Sequence, residues 1–124
     1  MPLYTIITQA GVLGGEAKAT LAGELTAFHS EYAGVPKNLV HIIFQDYAPR
    51  SGFTAGEPSS CVALTLLVRT GRSQDYKREL LKRLWKLLQN ATGAPDDQIV
   101  LGIQELPPSQ AMEMGKIMPD VGDQ

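Results

Sequence analysis

Residue 2 is a proline, in Met1-Pro2-Leu3-Tyr4. Methionine aminopeptidases remove Met before a small second residue, which would leave a secondary amine at the head of an apolar, β-rich segment. An ordinary α-amino group has a pKa of roughly 7.7–8.0. Burial and nearby cations both disfavour its protonated form. Such a proline would act as a general base at neutral pH without help from a histidine. The dipeptide also has a plainer reading, because proline is tolerated at the first position of a strand. Arg69 and Arg72 form a second candidate group, in Val68-Arg69-Thr70-Gly71-Arg72-Ser73, between a strand end and a helix start. Two guanidiniums beside a helix N-terminus suit a carboxylate, through bidentate hydrogen bonds and the helix dipole. Read otherwise, they are solvated loop arginines. Glu113, between Met112 and Met114, would be partly desolvated by the methionines, which raises a carboxyl pKa and suits it to activating water. In an exposed terminal turn it would do neither.

Other reactive side chains read more simply. His29 follows Leu25 by four residues and borders the apolar side of its helix, where a histidine is usually a satisfied edge residue. Cys61 reads as a small buried strand residue without a base beside it. Lys77, Arg78, Lys82, Arg83 and Lys86 read as the solvated side of a helix. One cysteine and two histidines make no disulfide and no metal cluster, so neither metal nor cofactor is expected. Gly11, Gly14 and Gly15 do not match a phosphate-loop spacing.

The elements that must position these residues come in a doubled order. Gly34-Val35-Pro36 recurs as Gly93-Ala94-Pro95, 59 residues later. At the same spacing Gln45-Asp46 recurs as Gln104-Glu105, and Lys18, Leu21 and Leu25 fall on Lys77, Leu80 and Leu84. We read one domain, 1–124, with internal repeats 2–60 and 61–119. Each repeat predicts strand, helix, strand. The strands are 3–8, 39–44, 62–68 and 99–103. Glu16 opens the first helix, and Leu21, Ala22, Leu25, Phe28 and Tyr32 form its apolar stripe. Ser73 caps the second, whose apolar face carries Leu80, Leu81, Leu84, Leu87 and Leu88. Gly34 and Gly93 end the helices, and the prolines that follow prevent continuation. A short helix is expected over 109–114 and a loose tail after Pro119.

Right-handed crossovers make the two strands of each unit parallel. The fold class is therefore α+β, with a four-stranded mixed sheet and two helices on one face. Strands this rich in Val, Ile and Leu are apolar on the other face too, which predicts oligomerisation through the sheets. A content of 44% hydrophobic and 19% charged residues fits a packed globular chain. The net charge of −2 argues against nucleic acid as partner. No apolar run has the ~18 residues of a membrane span, and the start lacks a signal-peptide pattern. A cytoplasmic protein is expected.

Together these features resemble the tautomerase superfamily, and within it the cis-3-chloroacrylic acid dehalogenase group. The resemblance runs from Pro2 to about Pro119. It is carried by Met1-Pro2-Leu3-Tyr4, Phe28-His29, Arg69-Thr70-Gly71-Arg72-Ser73 and Met112-Glu113-Met114-Gly115. It implies a homotrimer of doubled units, with Pro2 transferring protons. It further implies Arg69 and Arg72 holding a substrate carboxylate with help from His29, and Glu113 orienting or activating water. Tyr4 matches a family tyrosine near the proline, which implies a hydroxyl at the substrate. The dehalogenases also carry a tyrosine on the last strand, where this chain has Gly102. That absence favours keto–enol tautomerisation of small 2-oxo acids such as phenylpyruvate over hydrolytic dehalogenation or hydration. Two other readings fit parts of the sequence. A cofactor-free oxygenase on a ferredoxin-like dimer would separate the strands of each unit. A non-catalytic carboxylate binder would keep Met1.

Overall fold

The computed structural model describes residues 1–121. The strand β1 (Leu3–Gln9) leads into helix α1 (Gly15–Ala33) and returns as β2 (His41–Tyr47). A small hairpin follows, β3 (Phe53–Thr54) and β4 (Glu57–Pro58). The second unit runs β5 (Val62–Arg69), α2 (Gln74–Thr92) and β6 (Ile99–Leu106). It ends in another hairpin, β7 (Met112–Glu113) and β8 (Lys116–Ile117). The sheet order is β2-β1-β5-β6. Within each unit the strands are parallel neighbours, and β1 and β5 join the units antiparallel. Adjacency of the strands of each unit excludes the ferredoxin-like arrangement.

Alternation along the strands decides which face the helices cover. Tyr4, Ile6 and Thr8 of β1 and Val62, Leu64 and Leu66 of β5 are buried. They meet Leu21 and Leu25 of α1 and Leu80, Leu84 and Leu88 of α2. The 3.6-residue period brings the leucines of each helix to one side. We expect Leu84→Ala, at a fully buried position, to cost about 2–5 kcal/mol, from lost transfer energy plus the cavity left behind. A urea-unfolding midpoint measures it.

Local signals at the helix ends act as their chemistry requires. Ser73 Oγ accepts from the Tyr76 N–H at 3.1 Å. Gly34 and Gly93 take the left-handed conformation, with φ of 70° and 69°, which costs glycine little. The opposite sheet face bears Leu3, Ile7, Ile43, Leu67 and Val100. Ile43 is 52% exposed and Val100 69%, so an apolar surface lies uncovered by the described residues.

The structure corrects several expectations. Residues 109–114 do not form a helix. A short 3-10 turn, Pro108–Gln110, precedes the β7–β8 hairpin. Met114 and Gly115 both have positive φ, as a two-residue loop needs to match the twist of its strands. The β3–β4 hairpin, turning at Ala55-Gly56, lies 59 residues earlier. Cys61 precedes β5 and is half-buried. Lys77 leaves the solvated side of α2 to pair with Glu105 at 3.1 Å. Of the expected tail, Val121 packs at the site described next, just beyond Pro119, and 122–124 lie outside the described residues.

Candidate active site

Five of the six expected residues, with the amino terminus, collect around the head of β1 and open onto its cavities; Tyr4 lies beneath them. Pro2 is buried, and its carbonyl accepts the His41 N–H at 3.1 Å. Strand pairing therefore sets the position of its nitrogen. Tyr4, two residues on, points to the same face and into the core. Its hydroxyl lies 2.6 Å from His29 Nδ1, with the two rings edge to face. His29 sits on α1 and is only 3% exposed.

Burial governs the protonation of this pair. Desolvation pushes the His29 pKa down to about 4, with the amino-terminal charge and Arg72 acting in the same direction. Desolvation also raises the Tyr4 hydroxyl well above the usual phenol range. At neutral pH both are uncharged. A buried hydroxyl proton without an acceptor is costly, so Tyr4 O–H donates to Nδ1 and the imidazole proton resides on Nε2. The consequence for stability has a definite sign. The unfolded chain binds a proton at His29 below about pH 6.5, whereas the folded chain resists it until about pH 4. Stability should fall as pH drops through that window, by up to about 3 kcal/mol from this group. We expect His29→Gln to flatten that part of the curve, read from urea midpoints at pH 7 and 4.5.

Arg69 ends β5 and is 5% exposed. Its Nη1 donates to the Pro119 carbonyl at 2.5 Å. Burial first, then the charge of Arg72, lowers its pKa, and Glu113 and Asp120 oppose this; a guanidinium stays charged regardless. Arg72 lies over the Tyr76 ring at 4.8 Å from its centroid. Its Nη2 reaches the Ala33 carbonyl, at the end of α1, at 3.4 Å. The loop between the arginines turns at Gly71, φ 138°, where an added Cβ would meet Val121. Lys77, paired with Glu105, also borders this pocket.

Glu113 comes from the β7–β8 hairpin of the same chain. Met112 and Met114 are 61% and 75% exposed, so the methionines do not desolvate it. Its cover comes from the head of β1, and its Oε2 contacts the Met1 amino group. Oε1 lies 3.7 Å from His41 Nε2. Two cavities border Met1 here. A tight one, about 30 Å³, is lined by His29, Val68, Arg69, Arg72 and Tyr76. A wider recess of about 400 Å³ is lined by Pro2, His41, Ile43, Leu67 and Glu113. Met1 borders both. A larger groove of about 590 Å³ beside Trp85 and Leu101 includes none of the candidate residues.

Tyr4 stands apart from the expectation placed on it. Its hydroxyl engages His29, and it lines neither cavity. Gly102 lies exposed on the open sheet face, and a Cβ there would meet nothing within 4 Å. At Cys61, where the repeat places the counterpart of Pro2, the Tyr47 hydroxyl donates to the Cys61 carbonyl at 2.6 Å. Hydrogen bonding by Ser59 is the largest influence on the Cys61 thiol and lowers its pKa. Gly52 is buried there, where a Cβ would stand 2.6 Å from that same hydroxyl. Sequence reading missed His41, Tyr76 and the hairpin that carries Glu113. A residue followed by glycine, at 55–56 and again at 114–115, was the available signal for the hairpins.

Comparison with known proteins gives the family. A family model described as "Putative oxalocrotonate tautomerase enzyme" matches residues 1–124. The chain belongs to this tautomerase family. Native Ps01740 is 31% identical at a TM-score of 0.85, with 90% of this chain and 99% of that one covered. N1, a member of the cis-3-chloroacrylic acid dehalogenase family, is 28% identical at 0.90, covering 98% and 86%. A fused 4-OT symmetric trimer shares the fold, at 20% identity and 0.84, with 94% of each chain covered. None of the curated proteins matches. The tautomerase fold, with paired β-α-β units in one mixed sheet, agrees with the resemblance read from the motifs. No helix among the described residues is long and apolar enough to cross a membrane.

Proposed function

We propose that this tautomerase-family chain interconverts the enol and keto forms of small 2-oxo acids such as phenylpyruvate, with the amino group of Pro2 as acid and base. The observation that carries this reading is that two cavities lie on either side of Met1 at the head of β1. One has the paired guanidiniums, and the other has Pro2 and Glu113. Arg69 and Arg72 take the substrate carboxylate, and neutral His29, held by Tyr4, offers its Nε2–H beside them. Pro2 removes the enol hydroxyl proton and returns a proton to carbon, or the reverse. Met1 must be absent, because the nitrogen of a peptide-bonded proline is an amide and has no basicity. The intact mass of untagged protein, followed by enol decay with Pro2 and arginine variants, tests the reading. Full activity in those variants would overturn it.

Glu113, held beside the amino terminus, favours a second activity on the same scaffold, addition of water to an unsaturated or halogenated acid. Gly102 offers no hydroxyl for that step, so we rank it below tautomerisation. A homotrimer accounts for the apolar sheet face, in line with the trimeric fused 4-OT relative. Equilibrium sedimentation tests it, and a monomer would count against it.

A further inference from the structure

Arg69 and Arg72 line one tight pocket, and the charge of Arg72 acts on Arg69 across it. Two like charges repel, and an arginine side chain has many rotamers to move into. Something must keep Arg72 at the pocket before a carboxylate arrives. A column of aromatic rings that crosses from α1 to α2 does so. Phe28 and Tyr32 stack with centroids 5.4 Å apart and 29° between their planes. Tyr32 meets Tyr76 at 4.7 Å, and the Arg72 guanidinium carbon lies 4.8 Å from the Tyr76 centroid. Arg72 Nη2 also reaches the Ala33 carbonyl at the carboxyl end of α1, at 3.4 Å. Both places attract a cation, the ring face through its quadrupole and the helix end through its dipole. The Tyr76 backbone is itself fixed. Its N–H donates to Ser73 Oγ at 3.1 Å, and its carbonyl accepts from the Tyr32 hydroxyl at 2.9 Å. Glu105, a carboxylate at the same pocket, is paired with Lys77 at 3.1 Å. Among the described residues no carboxylate forms an ion pair with Arg72. Its charge is held by a ring face without being neutralised, so it stays available to an incoming anion.

We propose that Tyr76 is a positioning residue, whose ring face keeps the Arg72 guanidinium beside Arg69 so that the two take a carboxylate together. This rests on the carboxylate clamp of the tautomerase reading above. Holding the clamp in its binding geometry lowers the ordering cost of association. The effect falls on substrate affinity and leaves proton transfer at Pro2 alone. It belongs to the ring of Tyr76 and not to its hydroxyl.

The test uses the chain beginning at Pro2, the enol of an aryl 2-oxo acid, and phenylacetate as a carboxylate without the 2-oxo group. We expect Tyr76→Leu to raise KM about three- to tenfold, the size of a cation–π contact at a partly buried site. We expect kcat within about twofold of wild type, because the lost interaction serves binding alone. The calorimetric Kd for phenylacetate should rise by the same factor as KM. Tyr76→Phe, which keeps the ring face, should match wild type in both. In an Arg72→Ala background Tyr76→Leu should cause no further loss, because the two residues act as a unit. Unchanged KM and Kd in Tyr76→Leu, an equal loss in Tyr76→Phe, or losses that multiply in the double variant would overturn the proposal. If Tyr76→Leu does not fold, NMR of the wild-type chain decides. The Arg72 Nε–H proton, assigned by its loss in Arg72→Ala, should resonate upfield of solvated arginines because of the Tyr76 ring current. A resonance among the solvated arginines overturns the contact and the proposal with it. Phenylacetate binding that depends on the Tyr76 ring, without enol turnover in the wild-type chain, overturns the tautomerase reading and leaves the clamp. Neither binding nor turnover in the wild-type chain overturns both.

Discussion

The chain that begins at Pro2 is expected to isomerise a 2-oxo acid enol about 100- to 10,000-fold faster than the same chain bearing Met1, the range typical of a positioned general acid–base group. Two physical effects act together. In the Met-bearing form the proline nitrogen belongs to an amide, whose lone pair is delocalised into the carbonyl. Met1 also borders both cavities, so its side chain and amino group compete for the space between the arginines and Pro2. Its amino group further engages Glu113. The two forms are resolved by intact mass and assayed side by side. Equal rates would remove Pro2 from the mechanism. Pro2→Ala, processed to a free amine, separates the effects. It keeps basicity and open space, and we expect it to retain more activity than the Met-bearing form.

Arg69→Ala should lower kcat/KM by about 10- to 150-fold, from the roughly 1.5–3 kcal/mol that a hydrogen bond to a charged group contributes. Arg69 is the more consequential of the pair because it is nearly fully buried, where its charge is least screened by water. Arg72 is more exposed and rests on Tyr76, so Arg72→Ala should lose less. Arg69→Lys should recover only part of the loss, because an ammonium cannot form the bidentate fork. Arg69 also holds the Pro119 carbonyl, so the unfolding midpoint must be measured alongside. A large kinetic loss with a small midpoint change assigns the effect to carboxylate binding. A kcat/KM within threefold of wild type would overturn the carboxylate clamp.

Much of this was legible because local chemistry dictates it. Gly34 and Gly93 mark helix ends because a left-handed residue is needed there, and Ser73 marks a helix start because its hydroxyl can satisfy an amide. Periodicity placed Leu80, Leu84 and Leu88 on one side of α2, and repeated spacing implied paired units. The motifs around Pro2, Arg69, Arg72 and Glu113 could be named because each residue type has a narrow chemistry. The hairpin carrying Glu113 stands where the sequence predicts a short helix. Its strands are two residues each, too short for a periodic signal, and Met114 takes positive φ, which is uncommon outside glycine, asparagine and aspartate.

The sequence by itself determined the order of the four long strands and two helices, the parallel pairing within units and the residue types available for proton transfer and carboxylate binding. Only the tertiary structure decided what each side chain touches. Tyr4 turned inward to His29 because alternation along β1 sends the even residues to the helices. Burial then determined that both groups stay neutral. Lys77 found Glu105, and His41 came within reach of Glu113, through contacts between segments 28 and 72 residues apart. No spacing rule reports such distances, because they are set when the sheet closes.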